Sequence, residues 1–121
     1  MKITISSTGP TEDSSVDQRF GRCKYFCIYD TDSKEYTAVE NSSQFASGGA
    51  GVQSAQKVSE IGAGTVLTGN VGPNAYRALQ AANIKVITGV SGTISAVVEK
   101  FLKGEYSPSD QPTVQPHFGM K

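Results

Sequence analysis

The chain has 121 residues, 37% apolar and 18% charged, the size and balance of one globular domain; this excludes a disordered chain and removes any need for a disulfide or structural metal in folding. Eleven basic and eleven acidic residues cancel, so the basic excess of a protein that grips nucleic-acid phosphates is missing. No run of 18 apolar residues occurs, and Met1-Lys2-Ile3-Thr4-Ile5 lacks the long apolar stretch of a secretory signal. The expectation is a cytoplasmic protein with neither a membrane nor a nucleic-acid partner.

Residues 2–6 alternate, with Ile3 and Ile5 on one face, and predict a first strand. Residues 7–22 are polar, carry Gly9, Pro10 and Gly21, and read as a long loop. Residues 24–30, rich in aromatic and other β-forming side chains, predict a second strand. The turn cluster Asp30-Thr31-Asp32-Ser33 leads into a third strand over 35–40, which makes the pair an antiparallel hairpin. After a small-residue loop over 41–51 the period changes. Val52, Ala55, Val58 and Ile61 recur every three residues, as on one face of a helix that Gly62 and Gly64 end. Residues 65–68 are a short buried strand, and Gly69-Asn70-Val71-Gly72 is a glycine loop. Pro73 sits where a helix accepts it first, and that helix runs to about Ala82. Residues 84–88 give a fifth strand. Thr93 is placed to cap a last helix striped by Ile94, Val97, Val98, Phe101 and Leu102, which Gly104 stops. Residues 105–121, with Pro108, Pro112 and Pro116, read as a flexible C-terminal tail, which leaves 1–104 as a single α/β domain.

The order β-β-β-α-β-α-β-α demands antiparallel pairing early and right-handed parallel crossovers late. It predicts an α/β fold with one mixed five-stranded sheet and three helices, the first strand joining the two halves at the centre. The loops after strands one, three, four and five then leave one edge, together with the start of strand two, and in open α/β sheets that edge binds ligands. Arg19, Gly21, Arg22, Cys23, Gly48, Gly49, Gly51, Gly69, Asn70, Gly72 and Asn74 are therefore the candidate binding residues. Glycines let a ligand approach backbone N–H groups, helix starts add positive dipole ends, and the two arginines add full charge, a combination suited to an anion. Glycine is also the default turn residue, so any one of these loops alone is weak.

Cys23 and Cys27 are four apart, a tempting ligand spacing, but four strand residues span ~13 Å while zinc–sulfur bonds are ~2.3 Å, so the pair cannot chelate one ion from a strand. Cys27, between Phe26 and Ile28, reads as a core residue. Cys23, flanked by Arg22 and Lys24, is the candidate metal or cluster contact, its thiolate favoured by those charges. His117, a lone tail histidine, is expected to be solvated. Protein-ligated iron–sulfur sites usually require four cysteines, so a cluster here would arrive preassembled and be held largely non-covalently.

Val16-Asp17-Gln18-Arg19-Phe20-Gly21-Arg22 followed by Tyr25-Phe26, then Gly48-Gly49-Ala50-Gly51, then Thr68-Gly69-Asn70-Val71-Gly72-Pro73-Asn74-Ala75, then Ser91-Gly92-Thr93, resemble the dinitrogenase iron–molybdenum cofactor biosynthesis family. Their order and spacing carry the resemblance from residue 1 to about 106. It implies a ribonuclease H-like fold and the binding or carrying of iron–molybdenum cofactor, a precursor, or a related molybdenum–sulfur cluster, with a cluster-donor or acceptor protein as partner. Members often carry a small residue in place of Cys23, and some carry histidine-rich stretches where this chain has Gln44-Phe45-Ala46, which points to a thiolate contact rather than histidine ligation. Three functions compete. A non-enzymatic cluster carrier or scaffold agrees with the glycine loops. A nuclease needs carboxylates converging on two metal ions, yet the first strand has none and Asp30, Asp32 and Glu35 lie at the hairpin turn. A module binding a phosphate-bearing small molecule on the same loops is the third.

Overall fold

The computed structural model describes residues 1–109 and residue 112. The elements follow in the expected order: β1 (Lys2–Ser7), β2 (Tyr25–Asp30), β3 (Glu35–Glu40), α1 (Ala50–Ile61), β4 (Ala63–Leu67), α2 (Pro73–Ala81), β5 (Lys85–Ile87) and α3 (Ile94–Leu102). They form one mixed sheet in the order β3-β2-β1-β4-β5, with β1 at the centre as predicted. β1 runs antiparallel to β2, Ile5 facing Cys27, and parallel to β4, Ile5 facing Leu67.

The central position changes what the alternation in β1 means. Ile3 and Ile5 pack with Cys27, Leu67 and Ile87 beneath Ile94, Val97 and Val98 of α3. The opposite face carries Phe26, Val66 and Val86 against Ala55 and Val58 of α1 and Ala75, Tyr76 and Leu79 of α2. Helices thus cover both faces, and the polar residues between the isoleucines, Thr4 and Ser6, are fully buried. Buried hydroxyls need partners. The Ser6 hydroxyl donates to the Asp17 carbonyl at 2.7 Å and lies 2.7 Å from the Thr68 hydroxyl, which ties the C-terminal ends of β1 and β4 to the loop above them.

Several strand ends shift by one or two residues, and three differences from expectation matter more. α1 begins at Ala50, not Val52, because the break is made by Gly49 in the left-handed region (φ 73). Gly62 does end α1, at φ 88 with its N–H bonded to the carbonyls of Val58 and Ser59, but Gly64 belongs to β4, drawn into the sheet as that strand starts alongside Lys2. Residues 105–109, expected to open a flexible tail, are tied down: Tyr106 packs on the core, Ser109 N–H donates to the Val86 carbonyl at 2.7 Å, and the Tyr76 hydroxyl donates to the Ser109 carbonyl at 3.1 Å. Ser109 so covers part of the open edge of β5, the usual remedy for an exposed strand edge. His117 and the other expectations beyond residue 112 lie outside the described residues.

Candidate functional site

Above the C-terminal ends of β1 and β4 lies a cleft of about 630 Å³ lined by 19–22, 49–52, 70 and 72–75. Three separate segments build it, and small residues let them close on one another. A Cβ on Gly21 would lie 2.9 Å from Gly51 Cα and N, and one on Gly51 would lie 3.0 Å from Ala75 Cβ. The 8–22 loop therefore rests directly on the first turn of α1, and α1 on α2, a contact any larger side chain would force apart. The 8–22 loop is also stitched to its neighbours by backbone bonds: Asp17 N–H to Ser6 O (2.9 Å), Val16 N–H to Gly92 O (2.9 Å), Asn70 N–H to Gln18 O (2.8 Å) and Phe20 N–H to Asn70 O (3.2 Å).

Eight of the eleven residues singled out from sequence line this cleft: Arg19, Gly21, Arg22, Gly49, Gly51, Asn70, Gly72 and Asn74. Gly48 lies just before it, with open space where a Cβ would be. Gly69 lies beneath it, packed against Gln18 so closely that a Cβ would fall 2.2 Å from Oε1. Cys23 is the correction. It is fully buried in the core with Phe20, Phe26 and Val58, not at the loop edge. Burial pushes its thiol up to about 12, and the Asp17 carboxylate adds to the shift. Burial thus favours the neutral thiol, a poor nucleophile at neutral pH. Cys27 is core, as expected, its Sγ donating to the carbonyls of Gly9 (3.5 Å) and Thr11 (3.8 Å).

The lining has one electrical sign. Among the described residues its charged side chains are Arg19 and Arg22, with no carboxylate. α1 and α2 both start in it, with Gly49 and Gly72 as N-caps; neither has a side-chain cap or an acidic residue in its first turn. An uncapped helix start offers its first N–H groups to an anion, although Pro73 at the start of α2 has none of its own. α3, by contrast, is capped by the Thr93 hydroxyl, which accepts from Ala96 N–H at 3.3 Å. Gly72 is informative in another way. Its φ of −77 suits any residue ahead of a proline, and nothing lies within 4 Å of where its Cβ would be. The fold itself does not require glycine there.

The arginines are held differently. Arg19 is exposed, with Nε 3.5 Å from the Asp17 carboxylate, whose same oxygen accepts Arg19 N–H at 3.0 Å. Arg22 turns its Nη1 to the carbonyls of Gln44, at 3.0 Å, and Ala46. Sequence reasoning missed this clamp, and with it Asn41, whose buried carboxamide donates to Cys23 O at 2.9 Å and accepts from Ser43 N–H at 3.1 Å to hold the 41–46 loop. A lone asparagine among serines carries no periodic signal, so only the assembled loop reveals its part. Among the described residues no three His, Cys, Asp or Glu side chains group to hold a metal ion.

The family model for the dinitrogenase iron–molybdenum cofactor protein matches residues 1–104. The chain belongs to that family. Among solved structures it is similar to the apo form of the orange protein from Desulfovibrio gigas, at 41% identity and a TM-score of 0.91, covering 93% of this chain and 96% of that one. It is also similar to a Thermotoga protein of the DUF35 family suggested to be a NifB protein, at 32% identity and a TM-score of 0.82, covering 94% and 97%. An uncharacterized protein of Methanocaldococcus jannaschii is 27% identical over 108 residues, 87% of this chain and 88% of its own length. The family assignment agrees with the resemblance carried by the loop motifs, three of which, around residues 19–22, 49–51 and 70–75, line the cleft.

Proposed function

We propose that this member of the family is a non-enzymatic carrier or scaffold that holds an anionic metal–sulfur cluster, iron–molybdenum cofactor or a related molybdenum–sulfur species, non-covalently in the cleft. The observation that carries the reading is the pair of helix starts without side-chain caps, opening on one cleft whose charged lining is two arginines. Such a site offers hydrogen-bond donors and positive potential but no thiolate, imidazole or carboxylate, so it suits a ligand whose metals are already coordinated. The family's name points to iron–molybdenum cofactor, and the Desulfovibrio gigas relative has an apo form and a colour in its name, in keeping with a visible-absorbing cargo. The strand order agrees with the ribonuclease H-like assignment, which forms part of the proposal, as do a cytoplasmic location and a donor or acceptor protein for the cargo. Asp30, Asp32 and Glu35 stand at the β2–β3 turn, far from the cleft lining, which supports a binding protein over a nuclease.

The test is titration of the apo-protein with tetrathiomolybdate, following the visible bands that stay with the protein through desalting, for the wild type and Gly72→Val. Gly72→Val projects a side chain into space the fold leaves empty. The wild type is expected to retain the chromophore and the variant to bind it about tenfold more weakly, the scale of one lost charge-assisted contact. A wild-type protein that retains no colour, or a variant that binds equally, would sink the reading. Displacement by orthophosphate at matching concentration would instead favour the phosphate-binding alternative.

A further inference from the structure

We infer that Phe45 is a ligand-contacting residue of this cleft, brought to it by Arg22, and that it selects sulfide-faced over oxygen-faced anions. The inference rests on the anion-binding reading of the cleft and adds a residue and a selectivity to it. Phe45 is the most exposed large apolar side chain described, at 87%. Exposure alone says little, since single apolar residues are common on surfaces. Its attachment says more. The carbonyls that Arg22 Nη1 holds belong to Gln44 and Ala46, the residues on either side of Phe45. Consecutive Cα atoms are ~3.8 Å apart, so the base of the ring is within about one residue of a guanidinium that itself lines the cleft.

A guanidinium has five N–H donors in a fixed plane, and the two on Nη1 serve the loop. The edge formed by Nε and Nη2 has no hydrogen-bond partner among the described residues, and that edge can grip an anion with two parallel bonds. An anion docked there shares its arginine with the peptides flanking Phe45. Phe45 is not itself in the cleft lining, and the downstream connection carries little bulk, so the ring would fold over by turning about Ser47 and Gly48. Ser47 is small, Gly48 has nothing within 4 Å of a Cβ position, and Gly49 is left-handed at φ 73. The base of the loop stays fixed by Asn41.

What the ring would cover decides the selectivity. An oxyanion is strongly hydrated and loses water to an aromatic face at a cost. A sulfide surface is soft and polarizable, and sulfur packs favourably on aromatic rings. Tetrathiomolybdate and molybdate carry the same metal and charge and differ only in that surface.

Equilibrium dialysis of both anions against the wild type, Phe45→Leu and Phe45→Ala separates the terms. Phe45→Ala is expected to weaken tetrathiomolybdate about fivefold, the scale of a sulfur–aromatic contact, and to leave molybdate unchanged, with Phe45→Leu between. Chymotrypsin cleavage after Phe45 in the wild type is expected to slow severalfold with tetrathiomolybdate and not with molybdate. Tetrathiomolybdate bound equally by the wild type and Phe45→Ala overturns this inference while leaving the carrier reading intact, and equal losses for both anions overturn the selectivity. A wild type that binds neither anion overturns both readings together.

Discussion

Cys23 is quiet because of where it lies. Its thiol is buried, and desolvation keeps it protonated against the opposing pull of hydrogen bonds from the Ser7 backbone and from the Asn41 carboxamide at 3.7 Å. Neither cysteine of the folded chain should react with a disulfide reagent near pH 8, and both should react once denaturant is added; rapid labelling of Cys23 in the native state would contradict its placement. The same burial makes stability depend on alkaline pH. The Cys23 thiol rises from an ordinary value of 9.0 to about 12 and the Tyr36 phenol from 10.0 to about 12, both chiefly through burial. Between the two values of each group the folded chain keeps a proton that the unfolded chain has released, so unfolding becomes easier as pH rises from about 9 toward 12. Melting temperature measured across pH 8–12 should fall throughout that window, less steeply for Cys23→Ala. The glycines divide at this scale as well. Gly49→Val forces a β-branched residue to φ 73 and should destabilise the fold by about 1–2 kcal/mol whatever binds, whereas Gly72→Val meets nothing. Arg22→Ala removes a cleft charge and frees the 42–48 loop together, so its effect on binding mixes two causes.

α2 shows how a helix start can be left less stable than it might be. Gly72 has the extended backbone of an ordinary N-cap and room for a side chain, so Gly72→Asp can cap α2 and complement its dipole. The variant should unfold about 0.5–1 kcal/mol less readily, a rise of a few degrees in Tm by calorimetry, while its carboxylate repels an anion from the cleft. A variant that is more stable and still binds tetrathiomolybdate as before would show that the start of α2 takes no part in binding. Thr93→Ala, at the helix start that does have a cap, should cost about 1 kcal/mol and leave binding unchanged. The elements were readable because their signals are local. Thr93 followed by a clean 3.6-residue stripe marked α3, Pro73 marked α2, and the turn residues after Asp30 marked the hairpin. The start of α1 was misread because its signal lies in backbone conformation: three glycines in four residues fit a loop as well as a helix start, and only the left-handed Gly49 separates them.

For the whole molecule, the placement of β1 followed from chain order and crossover handedness, and with it the edge where the loops gather. Which residues of that edge face one another did not follow, because it depends on contacts between distant segments. Gly21 on Gly51 and Arg22 on Gln44 and Ala46 are examples. Cys23 fell on the wrong side for the same reason: flanking charges in sequence do not reveal that the chain turns inward between them. The segment after Gly104 adds contacts of its own. A chain stopped at Gly104 loses the bonds that Ser109 makes to Val86 and Tyr76 and uncovers part of β5, so it should be about 1–3 kcal/mol less stable to urea than one stopped after residue 112. Equal midpoints would show that this segment adds nothing. The stitching of the 8–22 loop bears on motion. Its N–H groups at Val16, Asp17 and Phe20 bond to three different parts of the molecule, Gly92, Ser6 and Asn70. To release any of them the chain must part β1 from the loops around it, which is close to unfolding the sheet. In deuterium these amides should therefore exchange nearly as slowly as those of β1 itself, although they lie in no helix or strand, while the short-range turn bonds of the Gln44 and Ala46 amides open far more readily. The wall of the cleft that carries Arg19 and Arg22 is then as stiff as the core.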